Sequence, residues 1–276
     1  MKKLAIPRAI SSSVALTLLL VGCQSVDIAE APSEYRLAPT ETEVVPTGAA
    51  HGVLVDNGFT QFASVFGIPV VGTDRVSRTG MDNAVSILQM YLDNDENGVA
   101  DNPAVVFALR EVNAVSAVFS TFSEHEDFED RNGYFSTRSY NVITMMEEEM
   151  YLENSGFDAA LEETLHLVTQ WGFAMAYPEI FGEKSGTDLA NSLDQAMAEG
   201  YFHYDDPTCG YSCLNTEFFY WAITSYMGLQ ESRCDEISRE WELCTRQSLR
   251  DSGLSVVTFI EDPQYGIPTD ASEGRS

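Results

Sequence analysis

The stretch DAALEETLHLVTQWGF, residues 158–173, constrains the fold more than any other part of the chain. On a helical wheel its apolar residues fall on two opposite sides, whereas a surface helix has one apolar side. A narrow polar stripe that contains Glu162, Glu163 and His166 runs between these sides. We therefore expect a helix over about 158–176 that is packed by protein on both flanks, with its polar stripe facing a cleft or the interior.

This polar stripe needs a physical explanation, because burying carboxylates without partners costs free energy. The two Glu side chains must be exposed, paired or bound to a cation. Glu162 and His166 are four residues apart, so their side chains converge on one face of the helix. The same spacing separates the two ligands of the zinc-binding motif H-E-x-x-H, in which the Glu between them is the general base.

The segment Glu162-Glu163-Thr164-Leu165-His166, E-E-x-x-H, resembles the gluzincin branch of the zincin metallopeptidases, with Glu in place of the first His. The resemblance implies an α+β, helix-dominated zincin-like domain with a small sheet. It implies that Glu162 and His166 bind Zn²⁺ or another divalent metal. It also implies that Glu163 is the general base of a hydrolase, such as a peptidase that acts on protein or peptide substrates.

Two neighbouring segments fit the same resemblance. In zincins an edge strand precedes the active-site helix, and YNVITM, residues 140–145, is placed to be that strand. In gluzincins a second helix supplies a Glu ligand, and Glu217 is the only charged residue of the apolar helix predicted over 216–228. His203 or Tyr204, between the two helices, would donate a proton to a developing oxyanion; an aromatic loop without catalytic role is the alternative.

Other interpretations of these residues stay open. Two Glu and one His form a harder donor set than two His and one Glu, so manganese, iron or calcium competes with zinc as the metal. Alternatively, Glu162 and His166 form a hydrogen-bonded pair without metal, and Glu217 interacts with the positive end of its own helix. The domain would then be an inactive relative or a binding protein.

A second cluster of oxygen donors reads D-x-D-x-N-G-x-x-D and lies between two predicted helices, 81–92 and 103–122. It matches an EF-hand-type calcium loop at every position but the last, where Ala104 replaces the bidentate Glu. We predict a structural Ca²⁺ site, with a turn that binds no metal as the alternative. The predicted ligands are Asp93, Asp95, Asn97, Val99 through its carbonyl, and Asp101.

The N-terminus predicts export. MKKLAIPRAISSSVALTLLLVGC has a basic start, an apolar run and a final Leu-Val-Gly-Cys that resembles the lipobox of bacterial lipoproteins. We expect a signal peptide over 1–22, lipidation of Cys23 and a Pro- and Glu-rich flexible tether over 23–48. The protein would then be held at the cell envelope by its lipid, at the outer membrane if the source is Gram-negative.

Four further cysteines predict two disulfides, because an exported chain meets an oxidising compartment. The shortest separations favour Cys209–Cys213 and Cys234–Cys244, although other pairings and a four-Cys zinc site remain alternatives.

The remaining features concern domains and partners. We divide the mature chain into a helical region with the calcium-like loop over 49–130, a zincin-like core over 131–262 and a tail over 263–276. The formal net charge of −28 makes nucleic acid an unfavourable partner. The oligomeric state has no signature in the sequence.

Overall fold

The computed structural model describes five stretches of the chain, residues 35–37, 43–44, 52–132, 140–150 and 158–271. The predicted signal peptide, the lipidation site Cys23 and most of the predicted tether lie outside these residues. None of the helices in the described stretches is both long and apolar enough to span a membrane.

A mixed sheet forms one layer of the molecule. Its strands are β1 (Glu43–Val44), β2 (Gln61–Val65), β3 (Ile68–Gly72), β4 (Ala114–Phe119) and β5 (Asn141–Met146), and they lie side by side in this order. The β1–β2 and β2–β3 pairs are antiparallel, and the β3–β4 and β4–β5 pairs are parallel. The predicted strand before the helix of interest is thus β5, at an edge of the sheet.

Helices dominate the rest of the described chain, which confirms the predicted α+β class. They are α1 (Gly52–Asp56), α2 (Arg78–Leu92), α3 (Pro103–Glu111), α4 (Phe122–Asn132), α5 (Ala159–Leu167), α6 (Ala174–Ala176), α7 (Asp188–Glu199), α8 (Tyr211–Tyr226), α9 (Cys234–Ile237), α10 (Arg246–Asp251) and α11 (Val256–Ile260). A π-helix, Val168–Phe173, joins α5 to α6. Short 3₁₀ turns occupy Glu147–Glu149 and Glu231–Arg233.

The helix predicted over 103–122 is wrong in its second half. Helix α3 ends at Glu111, Asn113 adopts a left-handed conformation with φ of 52°, and strand β4 follows. All six residues of β4 are buried. A short, fully apolar run of this kind has no amphipathic period, so a buried strand and a buried helix look alike in sequence.

The predicted packing of residues 158–176 on two flanks is confirmed. Helix α5 packs against α2, α8 and strand β5. The Asp158 carboxylate caps α5 by accepting the N–H of Ala160 at 3.0 Å, and it also accepts the side-chain amide of Asn83 on α2 at 3.0 Å. The Tyr91 hydroxyl donates to the Leu161 carbonyl at 2.9 Å. These polar contacts fix the position of α5 against α2.

The π-helix after α5 was not predicted. Its Gly172 lies against α3, where an added Cβ would come within 2.7 Å of a Val105 side-chain carbon. Glycine therefore permits the close approach of these two helices. Isolated π-turns within α-helices are frequent near functional sites.

One hydrophobic core crosses the predicted boundary between 49–130 and 131–262. Residues from both regions, such as Leu88 and Leu165, belong to the same buried cluster, so this boundary does not separate two cores. A smaller cluster that includes Phe59 and Phe119 forms a second core.

Parts of the predicted tether attach to the body of the protein. The Leu37 N–H donates to the Gly98 carbonyl at 2.8 Å, and the Ala100 N–H donates to the Tyr35 carbonyl at 3.0 Å. Glu43 and Val44 form strand β1. A flexible tether over the whole of 23–48 is therefore wrong for these residues, because their backbone groups pair with the calcium-like loop and with the sheet.

Both predicted disulfides are confirmed, Cys209–Cys213 and Cys234–Cys244. The first lies at the start of α8, one turn before Glu217. The second closes a loop that includes α9.

Candidate metal centre

The structure brings Glu162, His166 and Glu217 together. One ligand atom from each side chain lies within 4.8 Å of the ligand atoms of the other two. Glu162 and His166 meet through their spacing on α5, and Glu217 comes from α8, which packs against α5. Two side chains from one helix and one from its neighbour thus converge as the sequence predicted.

The imidazole at this centre has an unusual environment. His166 is 8% exposed, and its buried Nε2 atom has no hydrogen-bond partner among the described residues. The nearest Glu217 carboxylate oxygen lies 3.8 Å from Nε2, which is beyond hydrogen-bonding distance. Buried polar atoms without a partner are rare and call for an explanation, such as a missing ion or water.

The protonation states at the centre are governed by burial. Burial raises the pKa of Glu162 to about 7 and that of Glu217 to about 8, where charge from Glu162 adds to the effect. Burial lowers the pKa of His166 to about 4. Without a cation, all three groups thus favour their neutral forms. Glu162 has a nearby cation in Arg233, whereas only acidic groups act on Glu217. A neutral imidazole whose Nε2 has no described partner and two buried carboxyl groups fit a divalent metal.

Glu163 lies next to one of the three converging groups, His166, on the Nδ1 side of its ring. One of its carboxylate oxygens is 4.0 Å from His166 Nδ1, and 33% of its side-chain surface is exposed to solvent. Burial, with charge from Glu162 and Glu149, raises its pKa to about 8. A carboxylate with a pKa near neutrality that also reaches solvent is suited to proton transfer.

A cavity of about 260 Å³ opens next to the centre. The side chains that line it are Glu162, Tyr204, Glu217, Trp221, Arg233, Glu236, Ile237, Arg239 and Glu240. Two of the three candidate ligands therefore face a space that a small group could enter.

The structure distinguishes between the two proposed oxyanion stabilisers. Tyr204 lines the cavity, and burial together with the charges of Glu217 and Glu162 raises its pKa, so the phenol keeps its proton. His203 is exposed, and its backbone N–H donates to the Glu240 carbonyl at 2.8 Å. His203 does not line the cavity, so Tyr204 is the better placed of the two.

No sequence motif identified several of the residues that line the cavity. Arg233, Arg239 and Glu240 come from the loop that Cys234 and Cys244 close or from its border. The two cysteines mark the loop, but the spacing of cysteines does not tell which side chains of a loop face a cavity.

The calcium-like loop forms a second, separate cluster. Ligand atoms of Asp93, Asp95 and Asp101 lie within 4.8 Å of one another. The predicted ligand Asn97 makes hydrogen bonds within the loop: its side-chain oxygen accepts the Val99 N–H at 2.8 Å and its amide donates to Asp95 at 2.7 Å.

The backbone of this loop makes the sharp turn that an EF-hand-type loop requires at its glycine. Gly98 has a φ of 80°, a conformation that glycine adopts without strain. Asp93 accepts the N–H groups of Asn97 and Gly98, each at 3.0 Å, and is buried. Burial raises the pKa of Asp101 to about 6. The loop therefore holds three carboxylates close together, of which Asp93 is buried, Asp101 half-buried and Asp95 exposed.

Comparison with protein families, with curated proteins and with solved structures finds no match to this chain. The resemblance to gluzincins accordingly rests on E-E-x-x-H and on the position of Glu217. Function must be argued from the geometry of the centre itself.

Proposed function

We propose that this protein is a lipid-anchored, exported, zincin-like hydrolase that depends on a divalent metal. The observation that carries the proposal is the convergence of Glu162, His166 and Glu217 around an imidazole nitrogen that has no hydrogen-bond partner in the described part of the chain. A hydrogen bond from Glu217 to His166 would satisfy Nε2, but the nearest Glu217 carboxylate oxygen lies 3.8 Å from that atom.

In this proposal Glu162, His166 and Glu217 would hold the metal. A bound divalent metal would act as a Lewis acid that polarises the substrate carbonyl and lowers the pKa of water. Glu163 would accept the proton of the attacking water and donate it to the leaving group. The Tyr204 hydroxyl donates a hydrogen bond to the substrate oxygen as negative charge develops on it.

The donor set bears on the choice of metal. Oxygen donors from two Glu side chains are harder ligands than imidazoles, so Mn²⁺ and Fe²⁺ compete with Zn²⁺ more effectively than at a site with two His. The extra carboxylate would also make the metal a weaker Lewis acid and raise the pKa of its bound water.

The proposed location follows from the N-terminal sequence. A signal peptide and a lipidated Cys23 would place the catalytic body outside the cytoplasm, at the membrane surface. Proteins and peptides of the cell envelope would then be the accessible substrates. The negative net charge of −28 disfavours nucleic acid as a partner.

Metal analysis tests the proposal directly. The purified protein, dialysed against trace Zn²⁺ and Mn²⁺, is expected to hold about one transition metal ion per chain, because three ligands are sufficient for a catalytic site. Glu162→Ala and His166→Ala are each expected to lose it, as measured by elemental mass spectrometry.

His125→Ala is the matched control, because His125 also pairs with a Glu four residues away, Glu129, at 3.5 Å but is not in either acidic cluster. Negligible metal in the wild-type protein, or equal metal in wild type and His166→Ala, would contradict the proposal.

A second candidate function is a non-catalytic, calcium-stabilised surface lipoprotein that binds a partner or ligand. The convergence of Asp93, Asp95 and Asp101 favours it. Calcium at tenfold to hundredfold above its Kd would raise the free energy of unfolding by about 1.4–2.7 kcal/mol. We expect a rise of several degrees in melting temperature, about 3–8 °C.

Asp95→Ala is expected to abolish the calcium effect, whereas Asp235→Ala, an exposed aspartate outside the loop, is expected to keep it. Calorimetry with and without chelator measures both. Identical wild-type melting curves in calcium and in chelator would remove the support for this candidate.

A further inference from the structure

The disulfide-closed loop, residues 234–244, forms a wall of the cavity beside the candidate metal centre. Its side chains Glu236, Ile237, Arg239 and Glu240 line that cavity. The candidate metal ligands lie on α5 and α8, and none of them belongs to this loop. The loop can therefore shape what enters the cavity without holding the metal.

The two arginines that line the cavity differ in their availability. Arg233 is buried, and its guanidinium donates to Glu236 at 2.8 Å and to Gln230 at 3.3 Å. Arg239 is exposed and makes no hydrogen bond or ion pair within the part of the chain that the structure describes. Five other arginines of the described residues each have a side-chain nitrogen within 4.0 Å of a carboxylate oxygen.

The size of the cavity limits its occupant. At about 260 Å³ it lies below the usual range for drug-sized ligands, about 300–1,000 Å³. One amino-acid residue or a group of similar size fills such a space. A substrate whose scissile carbonyl lies at the metal centre would place the residue on one side of the scissile bond against the loop.

We propose that the disulfide-closed loop is the substrate-recognition wall of this site and that Arg239 binds a carboxylate next to the scissile bond. This inference rests on the proposed hydrolase function and names its substrate class. Guanidinium and carboxylate form paired, charge-assisted hydrogen bonds, which favour this anion over a neutral amide. The carboxylate is either a C-terminus or the side chain of Asp or Glu.

Two carboxyl groups of the loop itself, Glu236 and Glu240, line the same cavity and oppose this preference, and so do the candidate ligands Glu162 and Glu217 when no metal is bound. Burial and Asp205 raise the pKa of Glu240. A substrate carboxylate must approach Arg239 while avoiding Glu240. This repulsion limits how strongly Arg239 favours a carboxylate-bearing peptide over a neutral one. If Glu240 dominated instead, a substrate with a cationic side chain would be preferred, and a lysine-containing peptide tests that outcome.

Four matched peptides test the inference on the metal-loaded protein. They are N-acetyl-trialanine, its C-terminal amide, and amides whose last residue is aspartate or lysine. We expect a kcat/KM about tenfold higher for at least one carboxylate-bearing peptide than for the trialanine amide, the order of one charge-assisted hydrogen bond. The free-acid and aspartate peptides distinguish the two sources of the carboxylate.

Arg239→Gln is expected to bring the kcat/KM of the carboxylate-bearing peptides to within about twofold of that of the trialanine amide. The substitution removes the charge from an exposed position without disturbing the core. Arg78→Gln, at an exposed arginine on α2 that pairs with Asp82, is the control and is expected to keep the preference. Isothermal titration of the same peptides into metal-loaded Glu163→Gln gives their Kd values without turnover, and the same ratios are expected there.

The outcomes separate the inference from the proposed function. Equal kcat/KM for carboxylate and amide peptides, a preference for the lysine peptide, or a preference that survives in Arg239→Gln overturns the inference and leaves the hydrolase standing. Metal-loaded protein that binds none of the four peptides also overturns it. A wild-type protein that takes up no metal overturns both.

Discussion

Replacing Glu163 with Gln is expected to slow hydrolysis by about 100-fold to 10,000-fold, the range that a general base contributes. Glutamine has the shape of glutamate but cannot accept the proton of the attacking water. The three groups that converge, Glu162, His166 and Glu217, do not include Glu163, so the metal content is expected to stay at the wild-type level. Peptide hydrolysis assays and elemental analysis on the same preparation measure both quantities.

Glu149→Gln is the matched control for this experiment. The charge of Glu149 raises the pKa of Glu163, but Glu149 lies outside α5 and α8, in the 3₁₀ turn Glu147–Glu149. We expect its replacement to change the rate far less than Glu163→Gln does. Unchanged hydrolysis in Glu163→Gln would exclude this residue as the base, and loss of the metal would identify it as a ligand instead.

Local spacing was sufficient to place part of the centre. The interval of four residues between Glu162 and His166 fixes their common face as soon as the segment is helical, because a helix has 3.6 residues per turn. Glu217 was predicted as the only charge in an otherwise apolar helix. The disulfides followed from the short separations between their cysteines, which make loop closure inexpensive.

Tertiary packing decided what the sequence could not. Strand β4 was mistaken for helix because every one of its residues is buried, which removes the periodic contrast between faces. The approach of α3 to Gly172 depends on side chains from two distant segments. The position of Arg239 in the cavity wall likewise depends on how a disulfide-closed loop lies against α8. These contacts join segments that are far apart in the sequence, so no short stretch of residues predicts them.

The metal-free protein is expected to lose stability as the pH rises from about 6 to about 9. In the unfolded chain a Glu has a pKa near 4.5, but burial raises those of Glu162, Glu163 and Glu217 to about 7, 8 and 8. Between these values the folded state binds more protons than the unfolded state. Their contribution to the free energy of unfolding is therefore fully present below about pH 4.5 and is lost as the pH rises through 7 to 8.

His166 has the opposite sign. Burial lowers its pKa to about 4 from 6.5, so the unfolded chain binds more protons between these values. Its contribution is complete above 6.5 and is lost as the pH falls towards 4. Between pH 4.5 and 6.5 the two effects oppose each other, and three carboxyl groups outweigh one imidazole. The stability of the metal-free protein is therefore expected to fall from about pH 4.5 to about pH 8.

A melting temperature about 5 °C or more lower at pH 9 than at pH 6 is expected, since about 1 kcal/mol corresponds to roughly 2–4 °C in a chain of this size. Differential scanning calorimetry in chelator measures it. Glu236→Gln is the control. Arg233 lowers the pKa of this exposed carboxyl group, so Glu236 stays ionised from pH 6 to pH 9. Its replacement is therefore expected to leave the fall in melting temperature unchanged. The double variant Glu162→Gln/Glu217→Gln is expected to flatten it, because two of the three groups no longer ionise.

The general repulsion in a chain with a net charge of −28 also grows with pH, so the decline alone does not identify a metal site. Saturating Zn²⁺ or Mn²⁺ separates the two causes. Metal binding needs deprotonated carboxylates and a neutral imidazole, so it stabilises the folded state most at the alkaline pH where the metal-free protein is weakest. We expect the metal to cancel the decline in wild type and to leave the double variant unchanged. An equal decline with and without metal would mean that these carboxylates are buried for another reason than binding a cation.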